Sequence, residues 1–229
     1  STYPCLDLRD HISAQQIHSM GPPVCLRVEN SLIALQEVAQ RWRETMSARV
    51  IGITGSVGKT TTKELAASVL SRRYRTMKNE GNLNNEIGLP LSLLKVTSKH
   101  ERVVLEMGFY SVGDIALLCR LAKPHVGVIT NIYPVHLERA GTIENIVHGK
   151  GELLEELPAA PDGVAILNLD ESRVMETAGR TQARIVTYGL DSNATVRASD
   201  VQSLGLNGIR FRLHYRRDTL NVRVPMLGR

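Results

Sequence analysis

From Arg49 onward, short runs of β-branched and aliphatic residues alternate with stretches whose apolar positions recur every three or four residues. That alternation predicts βαβ units and an α/β fold, a mostly parallel sheet flanked by helices. Strands are expected at 49–53 (RVIGI), 102–107 (RVVLEM), 126–132 (VGVITNI) and 163–168 (GVAILN). A helix is expected from Lys59 to about Arg73, with Leu65, Ala66, Val69 and Leu70 as its apolar stripe. Further helices are expected from Gly113 to Ala122, where Ile115, Leu118, Cys119 and Ala122 keep helical spacing, and from Ile143 to Leu157. After Arg184 the texture shifts to short strands separated by turn signals such as LNG at 206–208, which predicts a short antiparallel β extension near the C-terminus. Ahead of Arg49 the pattern supports one element, a helix near Ser31 to Arg43 with Leu32, Leu35, Ala39 and Trp42 on one side. The first 47 residues read as too short and irregular for a whole domain.

Composition narrows the partners. The chain has 229 residues, 42% hydrophobic and 22% charged, enough to bury a substantial core. A net charge of +5 suits an anionic partner, and ordinary surface charge explains it equally well. Only 4% of residues are aromatic and no long Lys/Arg block occurs, so nucleic acid is not the expected partner. Cys5, Cys25 and Cys119 are widely spaced without a metal-binding pattern, which predicts buried free thiols in a reducing compartment. No apolar run reaches the roughly 18 residues of a membrane span, and the start STYPCLDLRD lacks the order of a signal peptide. A cytoplasmic location is therefore expected.

The chemistry concentrates in Gly52-Ile-Thr-Gly-Ser-Val-Gly-Lys-Thr-Thr-Thr62, which follows an expected strand and opens an expected helix. That is the setting of a phosphate-binding loop. Its glycines let backbone N–H groups turn toward a phosphate, and the helix N-terminus adds partial positive charge. Lys59 is placed to reach β- and γ-phosphates and the Thr60 hydroxyl to bind Mg²⁺. Thr54, Gly55, Ser56, Val57, Gly58, Lys59, Thr60 and Thr61 form the expected nucleotide-binding set. The strict GxxxxGK[ST] pattern is broken, because Ile53 stands where its first glycine belongs.

That departure, TG-x-x-GKTT directly after an apolar strand, resembles the ATP loop of the Mur ligase superfamily, to which folylpolyglutamate synthases also belong. The longer string 52–64 and the segment Gly81-Asn-Leu-Asn-Asn-Glu-Ile-Gly-Leu-Pro-Leu-Ser-Leu-Leu94 are similar to the branch that adds D-alanyl-D-alanine. Asn82, Asn84 and Asn85 carry both donors and acceptors, as recognition of a polar substrate requires; turn and cap roles account for asparagines equally well. Glu106 stands at the carboxyl end of a strand, where α/β proteins place ligand-binding groups, and the resemblance makes it a Mg²⁺ ligand. Thr130-Asn-Ile-Tyr-Pro-Val-His136-Leu-Glu matches a further family segment, which implies that His136 helps bind a second metal and that Asn131 lies near the phosphates.

Lys150 falls on the apolar stripe of its helix, seven, four and three residues after Ile143, Ile146 and Val147. Burial there lowers its pKa; snorkelling past Gly149 and Gly151, with the helix broken between them, is the other reading. The resemblance implies a lysine carbamylated by CO₂ that positions the second Mg²⁺, so Lys59, His136 and Lys150 are the expected catalytic groups. Asn168 and Asp170 are weaker candidates, since such residues commonly cap helices.

As a whole the resemblance implies ATP-driven amide synthesis through an acyl phosphate, joining D-Ala-D-Ala to a UDP-linked muramoyl tripeptide, by a protein that is monomeric at full length. It further implies that residues 1–47 are the end of a UDP-substrate-binding domain and 48–229 a truncated central ATP-binding domain, without the C-terminal ligase domain. Two other readings stand beside it: a nucleotide-binding fragment without catalysis of its own, and another ligase of the superfamily such as a folylpolyglutamate synthase.

Overall fold

The computed structural model describes residues 5–7, 13, 15, 25–135 and 137–225. Near the N-terminus, β1 (Cys5–Asp7) and β2 (Cys25–Arg27) pair in parallel as a separate two-stranded sheet. Helix α1 (Ser31–Glu44) starts at Asn30, whose side chain accepts from the Leu32 and Ile33 amides. It is fastened to the rest of the chain by buried Ala39 and by Arg43, whose guanidinium donates to the carbonyls of Ala122, Met46 and Ala48. The Trp42 indole donates to Val96 O at 2.7 Å, although its ring is 41% exposed.

The main sheet has nine strands. In chain order its elements are β3 (Arg49–Thr54), α2 (Lys59–Leu70), β4 (Thr76–Lys78), α3 (Gly88–Leu93), β5 (Arg102–Glu106), α4 (Asp114–Ala122) and β6 (Val126–Ile129). Helices α5 (Leu137–Ala140) and α6 (Ile143–Glu155), β7 (Val164–Asn168), α7 (Ser172–Glu176) and β8 (Arg184–Gly189) follow. The sheet ends in β9 (Val196–Ser203), β10 (Ile209–Tyr215) and β11 (Asp218–Val224). The spatial order is β11-β10-β9-β8-β7-β6-β3-β5-β4. All pairings from β4 to β9 are parallel, and β9–β10 and β10–β11 are antiparallel.

The expected α/β class and the antiparallel extension are both present. The extension begins later than expected, because β8 continues the parallel sheet beside β7. The chain leaves β3, crosses to β4 and β5 on one side, then to β6 on the other, so β3 is the switch point of the sheet. In such sheets ligands bind beyond the carboxyl ends of the strands flanking that point. Register places Ile53 opposite Glu106 and Thr54 opposite Ile129, bringing the three strand ends level.

Alternation along the strands splits the core across the two faces of the sheet. Val50, Val103, Leu105 and Ile129 pack with Ile115, Leu118, Ile146 and Leu153 of α4 and α6, while Ile53, Val104 and Val128 pack with Ala67 of α2. The stripe expected on α2 is rotated in the structure. Leu65 and Val69 are 42% and 71% exposed, while Lys63 and Ala67 are buried and Ala66 and Leu70 half-buried. The phosphate loop fixes where this helix begins, and a helix started there turns the 63–66–67–70 line toward the sheet. Helix α6 runs unbroken through Gly149 and Gly151. Cys119 is buried, whereas Cys25 is exposed, against the expectation for it. Among the described residues no helix is long and apolar enough to cross a membrane.

Candidate functional site

The loop between β3 and α2 turns at Gly55 (φ 152°) and Gly58 (φ 80°). Only glycine fits at 55, because a Cβ there would stand 1.9 Å from Thr130 Oγ1. Gly58 is the cap of α2, and no side chain bonds to the first-turn amides, so they remain available to an anion. The segment after β6 braces the loop from one side. The Asn131 side chain accepts from Val57 N at 2.9 Å and donates to Val57 O at 3.0 Å, while its carbonyl accepts from Ser56 N at 3.0 Å. Thr130 Oγ1 donates to Val57 O at 2.9 Å, and Ser56 Oγ donates to Tyr133 O at 3.0 Å. Thr61, in the first turn of α2, is exposed.

Lys59 folds back over this loop, its ammonium donating to Gly55 O at 2.8 Å and Ser56 O at 3.2 Å. Burial lowers its pKa, and the nearby Glu106 carboxylate opposes that shift. Glu106 itself is 4% exposed and ties two segments together. One of its oxygens accepts from Thr60 Oγ1 and the other from Asn84 Nδ2, both at 2.8 Å. A hydroxyl and a carboxylate side by side at a phosphate loop are the hard oxygen donors that magnesium takes, with phosphate and water completing the shell. Among the described residues no cluster of three His, Cys, Asp or Glu side chains offers an all-protein metal cage.

The expected asparagines divide. Asn84 belongs to the site through Glu106, and its carbonyl accepts from Gly108 N at 2.7 Å. Asn85 is a turn and cap residue, its Oδ1 accepting from Gly88 N at 2.8 Å and Ile87 N at 3.3 Å. Asn82 is exposed, and its carbonyl accepts from Asn84 N at 2.8 Å. Asn168 donates to Thr130 O at 3.1 Å, and Asp170 accepts from the amides of Leu190 and Asp191, so both serve the loops around β7 and β8.

Lys150 is buried, 3% exposed. Desolvation first, then the charge of Lys59, pushes its pKa down to about 7. Its ammonium lies 4.9 Å from the centre of the Phe109 ring. The glycine before it permits that contact, because a Cβ on Gly149 would stand 2.0 Å from the ring. His136 lies outside the described residues.

Three contributors were not legible as site residues. Asn79, fully buried, accepts from Glu106 N at 2.9 Å and donates to Glu106 O at 3.0 Å, fixing the end of β5. Lys63 is fully buried, with Nζ 3.8 Å from Glu106. Phe109 covers Lys150. Only Lys63 carried a usable signal: it sits one helical turn beyond Lys59, on the face the loop already orients.

The chain is similar to known proteins in sequence and in fold. The chain is 40% identical over 200 residues to the UDP-N-acetylmuramoyl-tripeptide--D-alanyl-D-alanine ligase of a Synechocystis strain, a match covering 86% of this chain and 44% of that relative. It therefore spans less than half the length of that protein. MurF from Acinetobacter baumannii superposes with a TM-score of 0.83 at 30% identity, covering 94% of this chain and 49% of that one. The MurF ligase of Thermotoga maritima in complex with ADP gives a TM-score of 0.77 at 30% identity, covering 89% and 46%. The sequence signature of the Mur ligase middle domain matches residues 53–229, taking in the phosphate loop, Glu106 and Lys150, and the chain belongs to the Mur ligase family.

Proposed function

We propose that this chain supplies the ATP-binding and phosphoryl-transfer residues of a ligase that joins D-Ala-D-Ala to UDP-N-acetylmuramoyl-tripeptide in cytoplasmic peptidoglycan precursor synthesis. The observation that carries the reading is Glu106, held by Thr60 of the phosphate loop on one oxygen and by Asn84 on the other. That carboxylate links a nucleotide-binding loop to a segment placed to meet the substrate. The named relatives favour this over a folylpolyglutamate synthase.

In this reading the open amides of α2 and the Lys59 ammonium receive the phosphates of ATP, Lys59 leaving its two loop carbonyls to do so. Thr60 and Glu106 would hold Mg²⁺, which would neutralise charge that develops as the phosphoryl group moves. The tripeptide's terminal carboxylate attacks the γ-phosphorus, and the bond to the ADP oxygen breaks. The amine of D-Ala-D-Ala then adds to the acyl phosphate carbon, and the tetrahedral intermediate expels phosphate as the amine gives up a proton. Asn84, with Asn82 and Asn85 in the same segment, lies on the substrate side. Lys150, with a pKa near 7, is substantially neutral at physiological pH, the form that adds to CO₂ to give a carbamate and one proton. That carbamate and His136 are assigned to a second metal by family resemblance alone.

A second reading is nucleotide binding without turnover by these residues alone. Calorimetric titration with ATP and Mg²⁺, paired with phosphate release in the presence of both substrates, separates the two. Substrate-dependent release that Lys59→Ala abolishes supports the ligase reading, and binding lost in that variant without any release supports the second. Absence of binding in the unaltered chain removes both.

A further inference from the structure

Lys63 is the least expected side chain in the molecule. It is 0% exposed, and its Nζ is one of two buried side-chain polar atoms among the described residues without a hydrogen-bond partner. It lies 3.6 Å from a Glu64 carboxylate oxygen and 3.8 Å from one of Glu106, nearly equal separations and both beyond hydrogen-bonding reach. Both Glu106 oxygens already accept a bond, from Thr60 and Asn84. Glu64 is engaged from its outer side by Lys78, in a contact 46% and 39% exposed on the two side chains. The ammonium thus hangs between an inner and an outer carboxylate and is bonded to neither. A buried cation is costly unless paired, so a lysine kept in this place is explained by the anion it faces.

We propose that Lys63 is a resident counter-cation: it balances Glu106 while no divalent metal is bound there, and it shifts onto Glu64 when one arrives. This rests on the reading of Thr60 and Glu106 as magnesium ligands. Two cations compete for one buried carboxylate, and Glu64 supplies the place to which the weaker competitor retreats. The arrangement keeps Glu106 aimed, so the metal meets a preformed ligand. It also sets a ceiling on metal affinity, because each binding event displaces an ammonium. Glu64 therefore acts on the metal through Lys63.

The test is a double-mutant cycle on the full chain, read as the Mg²⁺ dissociation constant at saturating ADP, with ADP binding in EDTA as reference and circular dichroism as the check on folding. Lys63→Met removes the competitor and is expected to tighten Mg²⁺ binding by about five-fold. Glu64→Gln removes the retreat and is expected to weaken it by roughly three-fold. In the Lys63→Met background Glu64→Gln should change nothing, because its effect passes through the lysine. Weaker or unchanged binding in Lys63→Met, or a Glu64→Gln effect of equal size in both backgrounds, overturns the proposal; the latter is simple additive electrostatics. If the methionine variant fails to fold, Lys63→Gln takes its place in the cycle with the same signs. Unaltered protein whose ADP affinity ignores Mg²⁺ overturns the metal reading and this inference with it, whereas normal metal dependence with an additive cycle overturns this inference alone.

Discussion

Lys150 shows how one residue's surroundings can be read as a stability profile. Its folded pKa of about 7 lies below the ordinary value of 10.5, because burial and the Lys59 charge disfavour the ammonium. Above about pH 10.5 both states hold a neutral amine and the group contributes no pH-dependent penalty. As pH falls from 10.5 toward 7 the unfolded chain takes up a proton that the folded protein refuses, and stability declines; below 7 the penalty is fully present. Its size is on the order of a few kcal/mol. Lys150→Met should therefore raise the melting temperature more at pH 6 than at pH 10 in bicarbonate-free buffer. An equal gain at both pH values would mean that this amine has no depressed pKa. Gly149 belongs to the same account: Gly149→Ala drives a methyl into the Phe109 ring and should cost about 1–2 kcal/mol in urea unfolding, despite alanine's better helix propensity.

Among elements, α4 depends on a cap supplied by another helix. Glu152 of α6, 4% exposed, accepts from Gly113 N at 2.6 Å and Ala116 N at 2.9 Å. Glu152→Ala strands both amides and should destabilise by about 2–4 kcal/mol, measured by urea unfolding. Glu152→Gln, which keeps an acceptor, should lose less. Asn30→Ala removes the α1 cap at an exposed position and should cost only about 1 kcal/mol. How much of this was legible varied with the range of the interaction involved. The strands expected at 49–53, 102–107 and 126–132 were readable because their signals are contiguous in sequence, as was the phosphate loop, although the third ends early, at Ile129. The α2 stripe was misplaced because a buried lysine reads as a polar position, leaving Lys63 off the face it occupies. The parallel pairing of β8 was missed because its partner, β7, is set by a crossover and not by local pattern. The meeting of Thr60, Asn84 and Glu106 joins three separate segments, and only sheet register brings them level. Asn79 lies outside every recognisable string and works through the backbone of Glu106.

Across the whole molecule, burial is uneven in a way that tracks the proposed function. Strands β3, β5 and β6 lie between two core clusters, and the loop, Glu106 and Thr130–Asn131 stand at their ends. No residue within strands β9, β10 and β11 is buried, and Leu220 and Val201 on them are 58% and 42% exposed. Sub-global opening should therefore cost least in the ribbon and most in the central strands, which hydrogen exchange resolves. Nucleotide with Mg²⁺ at 100 times its dissociation constant adds about 2.7 kcal/mol to global stability by linkage. The added protection should fall on 52–62, 79–88, 106–108 and 130–133, the segments bonded to one another around the loop and Glu106. It should leave 209–224 unchanged, because no hydrogen bond joins that ribbon to the loop among the described residues. Protection gained equally in the ribbon would show that the antiparallel extension is energetically part of the proposed nucleotide site, and the separation of that site from the peripheral sheet drawn from burial would fail.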